Sequence, residues 1–261
     1  MLIDAHTHMD RYEDELDSAL REIEEHRIFT IANSMDITSY ERNRRIAQKC
    51  RLVLPIFGVH PWNASGYAGH LDRLNPYVEQ SPMLGEIGLD YHFVKHFNRY
   101  PDQRKVLEHF FAAAADTNKI VNLHTKGAEG DVLQLLDAYG IKRAIVHWYS
   151  GPLDIFREMV SRGVHFTIGV EVMHSDHIKT IARELPVDLL LTETDNPGGL
   201  KWLTGDLGMP LALEDVIRTI ADVRQSKPEA VVERVHKNFL DLLRDDGWLP
   251  DAYFQILTPE Q

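Results

Sequence analysis

Eight short apolar runs recur along this chain, each followed by a stretch in which apolar residues return at helical spacing. The runs lie near Leu2–Ala5, Phe29–Asn33, Leu52–Phe57, Met83–Ile87, Ile120–Leu123, Arg143–Val146, Val164–Ile168 and Leu189–Thr192. Asp14–His26 shows the intervening pattern, with Leu16, Leu20 and Ile23 on one face and polar residues on the other. Pro101, followed by Asp102, Gln103 and Arg104, marks another helix start, leading into Leu107, Phe110, Phe111 and Ala114. Strands that alternate with helices pair in parallel, each crossover helix returning the chain to the same end of the sheet. With 261 residues the expected architecture is α/β, a (β/α)8 TIM barrel over residues 1–248. Leu249–Gln261 is then a tail, either packed on the barrel or docking a partner. Two domains of about 130 residues are the competing reading of the length. No Gly-x-Gly-x-x-Gly follows the first run, which argues against a dinucleotide-binding sheet. Asn63–His70 and Asn196–Met209 read as prominent loops, the second carrying four glycines beside Trp202.

Charge and cysteine usage narrow the function classes. Lys and Arg number 28 against 40 Asp and Glu, a net charge of −12. Wrapping a duplex requires several cationic phosphate contacts, and a chain this acidic is poorly suited to it. The same carboxylates suit divalent cations. Cys50 is the single cysteine, so neither an internal disulfide nor a zinc-thiolate cluster can form. No run approaches the ~20 apolar residues of a membrane span, and Met1–His6 has no secretory character. The expected setting is cytoplasmic, with no membrane contact.

The candidate chemistry lies at the ends of the strands. His6 and His8 are two residues apart, so in a strand both rings point to one side. Glu86 ends the fourth run, His124 the fifth, His147 the sixth, and Asp195 follows the eighth. Taken singly, each is an ordinary polar residue entering a loop. In a barrel, those ends converge on one face. Imidazoles and carboxylates gathered there with no Lys or Arg at the same points require a cation to hold them. Glu193 shares the inward face with Asp195, and the residues leave open whether it supports a ligand or joins the metal set. His92, His96, His174 and His177 read as surface or loop histidines.

These segments, taken in order, resemble the TatD family of metal-dependent deoxyribonucleases, which share an amidohydrolase-type (metallo-dependent hydrolase) barrel. The resemblance is carried by His6-Thr7-His8, Gly58-Val59-His60-Pro61, Gly85-Glu86-Ile87-Gly88-Leu89-Asp90-Tyr91, Leu123-His124, Val146-His147 and Glu193-Thr194-Asp195-Asn196-Pro197. It extends from His6 to about Phe239, and Gln103 and Asn238-Phe239 also fit the family's pattern. It implies two divalent metal ions: His6, His8 and Asp195 on the first, His124 and His147 on the second, and Glu86 bridging. Mg2+, Mn2+ and Zn2+ all remain candidates, imidazoles favouring transition metals and phosphate chemistry admitting the others. The implied reaction is hydrolysis of DNA phosphodiesters, favouring short single-stranded 3′ ends, by a metal-bound hydroxide that Asp195 orients or deprotonates. Glu86 and Asp195 are therefore the catalytic candidates.

Substrate contacts are the less determined part. Family position puts His60 at the rim, near a substrate phosphate, although a structural histidine braced by Pro61 reads nearly as well. Lys126 stands after His124 as the basic residue of the site. Trp148 and Tyr149 replace a smaller pair usual in the family and could stack on bases, with packing under the sixth loop as the alternative. Two other functions stay in view. A metal hydroxide attacks amides, esters and lactones as well as phosphorus. The chain could also be a working nuclease subunit of a larger assembly, such as an antiviral defence system, with protein partners at its loops and tail.

Overall fold

The computed structural model describes residues 1–244 and 247–258. Eight strands appear where the apolar runs predict them: β1 Leu2–Thr7, β2 Ile28–Asn33, β3 Val53–Ile56, β4 Leu84–Gly88, β5 Val121–His124, β6 Ala144–Val146, β7 His165–Ile168 and β8 Leu190–Thr192. Between them run α1 Leu16–Glu25, α2 Ile37–Ala47, α3 Asn75–Gln80, α4 Tyr100–Thr117, α5 Glu129–Tyr139, α6 Leu153–Ser161 and α7 Asp176–Glu184. After β8 come α8 Gly198–Thr204, α9 Ala212–Val223, α10 Pro228–Leu243 and α11 Asp251–Leu257. Both prominent loops hold short helices: a 3-10 helix spans Pro61–Gly66, and α8 occupies half of the Asn196–Met209 stretch. No described helix is long and apolar enough to cross a membrane.

All strand pairs are parallel, in the orders β1-β2-β3 and β4-β5-β6-β7-β8. Two seams close the ring. A parallel bridge from Phe57 to Leu84 joins β3 to β4. At the other seam, side chains take over from the ladder. Thr192 Oγ1 donates to the Ile3 carbonyl at 2.6 Å, and the Thr194 amide and hydroxyl donate to Asp4 at 2.9 and 2.7 Å. The Asp195 amide then reaches the His6 carbonyl, and the His8 amide the Asn196 carbonyl, both at 2.9 Å. This seam fixes the C-terminal ends of β1 and β8 against each other, and with them His6, His8 and Asp195.

The outer helices hold the strands in place. On α10, Asn238 Nδ2 donates to the carbonyls of Val187 and Leu190 at 2.7 and 2.8 Å, while the Phe239 ring packs 5.7 Å from Phe29. These contacts account for the Asn-Phe pair near the end of the sequence. Gly88, with φ of +153°, would place a Cβ only 1.9 Å from the His124 carbonyl oxygen, so β4 meets β5 where no side chain fits. In the tail, α11 lies on the barrel: Leu257 is fully buried, and the Tyr253 hydroxyl donates to the Val53 carbonyl at 3.0 Å. Residues 259–261 of that tail lie outside the described residues.

Candidate metal centre

Glu86 stands at the centre of the strand ends, and its two oxygens face different imidazoles. Oε1 lies 2.8 Å from His147 Nε2, 2.9 Å from His124 Nδ1 and 3.3 Å from His60 Nε2. Oε2 lies 3.4 Å from His8 Nε2 and 3.6 Å from His6 Nε2. Asp195 Oδ1 completes the second side, at 3.3 Å from His8 Nε2 and 3.7 Å from His6 Nε2. Seven groups from six separate segments of the sequence therefore meet in one buried cluster.

Partners on the far side of the ring decide which nitrogen is free at His6, His124, His147 and His60, whereas His8 Nδ1 is buried without a hydrogen bond. Asn122 commits its amide N–H to the Ala5 carbonyl at 2.9 Å, which leaves its Oδ1 to accept from His6 Nδ1 at 3.0 Å. The proton of His6 is thus on Nδ1, and the Nε2 lone pair faces the cluster. His124 donates from Nε2 to Asp90 Oδ2 at 3.1 Å and turns Nδ1 inward. His147 sets Nδ1 toward Glu193 Oε2 at 3.6 Å, and the other Glu193 oxygen accepts from the Trp148 amide at 2.9 Å. His60 is arranged differently. Its Nδ1 accepts from the Trp62 amide at 3.2 Å, so Nε2 carries the proton and points it at Glu86.

Charge follows from these contacts. Burial alone would raise Glu86, but His60, His147 and His124 hold its carboxyl well below the usual range. Burial likewise opposes a charged ring at His8, yet Asp195 and Glu86 outweigh it and push the pKa up to about 10. At His147, burial is outweighed by Glu86 and Glu193, again giving about 10. At His60 burial wins, and the ring falls to about 4, neutral at ordinary pH. His6 Nε2 and Asp195 Oδ1 are buried and make no hydrogen bond. Two buried acceptors aimed at one space, with only the charged His8 ring near one of them, are what a cation would satisfy. Three groupings have the spacing to hold one: His6 with Glu86 and His147, His6 with His8 and Asp195, and His60 with Glu86 and His124. The donor set fits the expected metals. Asp195 (φ 53°) and Trp148 (φ 39°) both have left-handed backbone, so local strain coincides with the site.

Several expected substrate residues sit elsewhere than expected. His60 is buried at the floor of the site against Glu86, because Pro61 and the Trp62 amide turn its ring inward, away from the rim. Tyr149 is also buried, its hydroxyl donating to the Pro152 carbonyl at 2.7 Å and its ring packed on Phe156 and Phe166, so no base can stack on it. Trp148 stays partly exposed, with its indole N–H on Glu171. Lys126 donates to Ser150 Oγ at 2.6 Å, its ammonium 5.7 Å from the Trp148 ring, and burial lowers its pKa. His92, His96, His174 and His177 are exposed, as expected.

Two supporting residues escaped the reading of the sequence. Asp90 is fully buried and orients His124; it also accepts from Trp62 Nε1 at 2.7 Å and from the amides of His92 and Phe93. Gln103 holds the backbone of Asp90 from both sides, at 2.9 and 3.1 Å. Asn122 orients His6. It precedes His124 by two positions on β5, so period-two alternation puts both on the inward face, and that signal was available.

A model of the TatD-related DNase family matches residues 3–244. Deoxyribonuclease TATDN3 of Homo sapiens is 25% identical over 260 residues, covering 92% of this chain and 94% of that protein. A metal-dependent hydrolase of Methanocaldococcus jannaschii is 24% identical over 243 residues, 90% of this chain and 94% of that one. Among solved structures, the TatD homologue YJJV of Escherichia coli K12 aligns with a TM-score of 0.82 at 20% identity, over 92% of this chain and 97% of its own. The phosphotriesterase homology protein of Escherichia coli aligns at 0.53 with 14% identity, over 98% and 94% of the two chains. Fold and buried cluster together define a metallohydrolase barrel. The chain belongs to the TatD-related DNase family and is a metal-dependent hydrolase.

Proposed function

We propose that this hydrolase cleaves phosphodiester bonds of DNA, working on short single-stranded ends from the 3′ side. The observation that carries the reading is Glu86, a buried carboxylate with one oxygen toward His124 and His147 and the other toward His6 and His8. A bridge between two divalent cations needs a carboxylate presented in this way. His6, His8 and Asp195 would hold one cation and His124 and His147 the other, with Mg2+, Mn2+ or Zn2+ as occupants. When bound, such a pair supplies Lewis acidity for the phosphoryl oxygens and lowers the pKa of water toward about 7.

The protein's own groups do the positioning. Asn122, Asp90 and Glu193 fix the rings from behind, so the inward nitrogens need no rearrangement during reaction. The Asp195 side chain is 20% exposed, against 2% for Glu86. Its Oδ1 is buried against His6 and His8, so the exposed part of the side chain is the remainder, and its carboxylate would orient the attacking water and accept its proton. The family match and the name borne by the human relative support DNA as the substrate. The test is release of nucleotides from single-stranded and duplex DNA with each cation, compared with Asp195→Ala and a chelated control. Expected is single-strand preference and a fall of at least about 100-fold in the variant, the scale of losing a positioned base. Equal release by the variant would overturn the reading.

A further inference from the structure

The mouth of the barrel carries a row of exposed aromatic rings to which the reaction assigns no role. Trp62, Phe93 and Trp202 are 46%, 40% and 72% exposed. They come from three separate connections, after β3, β4 and β8, and meet edge to face with centroids 5.9 Å apart for Trp62–Phe93 and 5.6 Å for Phe93–Trp202. Exposed apolar rings brought together from three connections form a contiguous patch of the sort that marks a binding surface. The row joins the buried cluster directly. The Trp62 ring lies 4.7 Å from that of His60, and its indole N–H is held by Asp90, which also orients His124. A flat group lying on this row would therefore adjoin the bond to be cut.

Charge at the mouth says what kind of group that is. The loops after β2, β6 and β7 (residues 34–36, 147–152 and 169–175) contain no Lys or Arg, and Arg11, Arg73, Lys95, Arg99 and Lys201 are scattered over those after β1, β3, β4 and β8. Lys126 is drawn onto Ser150. With a net charge of −12, attraction for a phosphate backbone is weak, and affinity must come from elsewhere. Unpaired nucleobases offer π-faces to exposed rings and bind aromatic side chains without regard to sequence.

We propose that Trp62, Phe93 and Trp202 form a stacking subsite for the unpaired base next to the scissile phosphodiester. This rests on the nuclease reading above. It explains preference for single strands by the ring faces, which a paired base cannot reach, and it moves the stacking role from Trp148 and Tyr149 to this row. The subsite selects for a base as such, not for one particular base.

The test compares kcat/KM on a single-stranded oligonucleotide with that on the same strand carrying an abasic tetrahydrofuran unit at the cleavage end. Wild-type protein is expected to prefer the base-bearing strand by on the order of tenfold, the contribution of one stacked base. Trp202→Ala and Phe93→Ala should each collapse that ratio toward one, chiefly through KM, and Trp202→Phe should restore most of it. A ratio unchanged by either alanine variant, or a wild-type ratio of one, overturns the subsite. If the wild type cuts neither strand with any of the three cations, the nuclease reading has failed instead. The subsite is then judged by quenching of tryptophan fluorescence on titration with single-stranded DNA under chelation, and no quenching in the wild type overturns it too. A concentration-dependent dimer that Trp202→Ala dissolves in sedimentation would show a second copy on the row, which also overturns it.

Discussion

At the scale of single residues, the site is a contest between protons and cations. His8 and His147 are buried, which disfavours charge, yet the surrounding carboxylates raise both to about 10 in the metal-free protein. The sign follows from the raised values. Each charged ring contributes stability that is full below its ordinary pKa of 6.5 and is lost as pH rises toward about 10. Chelated protein should therefore lose thermal stability steadily from pH 6.5 to 10, measured by melting in the presence of a chelator. A cation needs the same nitrogens unprotonated, so metal uptake near pH 7.5 should release about one to two protons. Calorimetric titration in two buffers of different ionisation heat checks this; identical heats would mean that the rings bind as neutral imidazoles already. The residues in this contest were legible in the sequence because each ends a strand. Asn122 was legible only as an inward position two residues before His124, and the roles of Asp90 and the inward turn of His60 were not legible, because hydrogen bonds made behind a ring leave only a faint trace in composition or spacing.

Elements were legible where periodicity was strong and obscured where a short helix hid inside a glycine-rich stretch. The eight strands stand where apolar runs predict them to within a few residues, since both faces of a barrel strand are buried and the run is continuous. The stretch after β8 reads as loop because its four glycines disfavour helix, yet Gly198–Thr204 is helical, packed by Gly199 close under Trp148. The tail could pack or dock from sequence alone. Its helix α11 buries Leu257 completely and sets Tyr253 edge-on to Phe29 at 6.1 Å. We propose that α11 is a structural part of the barrel. Leu257→Ala should then destabilise by about 2–5 kcal/mol, the range for truncating a buried leucine. Denaturant unfolding measures it, and a change under about 0.5 kcal/mol, the range of surface substitutions, would return the tail to a docking role.

For the whole molecule, closure and charge act together. The β1–β8 seam brings the two ends of the barrel into register through Thr192, Thr194 and Asp4, and in doing so sets Asp195 beside His6 and His8. The closed ring then gathers carboxylates at one mouth of a molecule already carrying −12. Cations held in that mouth change its local sign, whereas the outer surface stays repulsive to a polyanion. A nuclease that tracks a long strand would neutralise many phosphates and weaken steeply with salt. Here the bound length should be short. For single strands, the logarithm of affinity falls by about 0.7 per logarithm of salt for each phosphate neutralised. One or two phosphates at the site predict a slope between about −0.7 and −1.4. Measuring KM for a single-stranded oligonucleotide from 50 to 300 mM salt (about a sixfold range) at fixed free metal tests this. A slope steeper than about −3 would require four or more neutralised phosphates, and so a cationic path over the surface built from the scattered Lys and Arg of the loops after β1, β3, β4 and β8, against a net charge of −12.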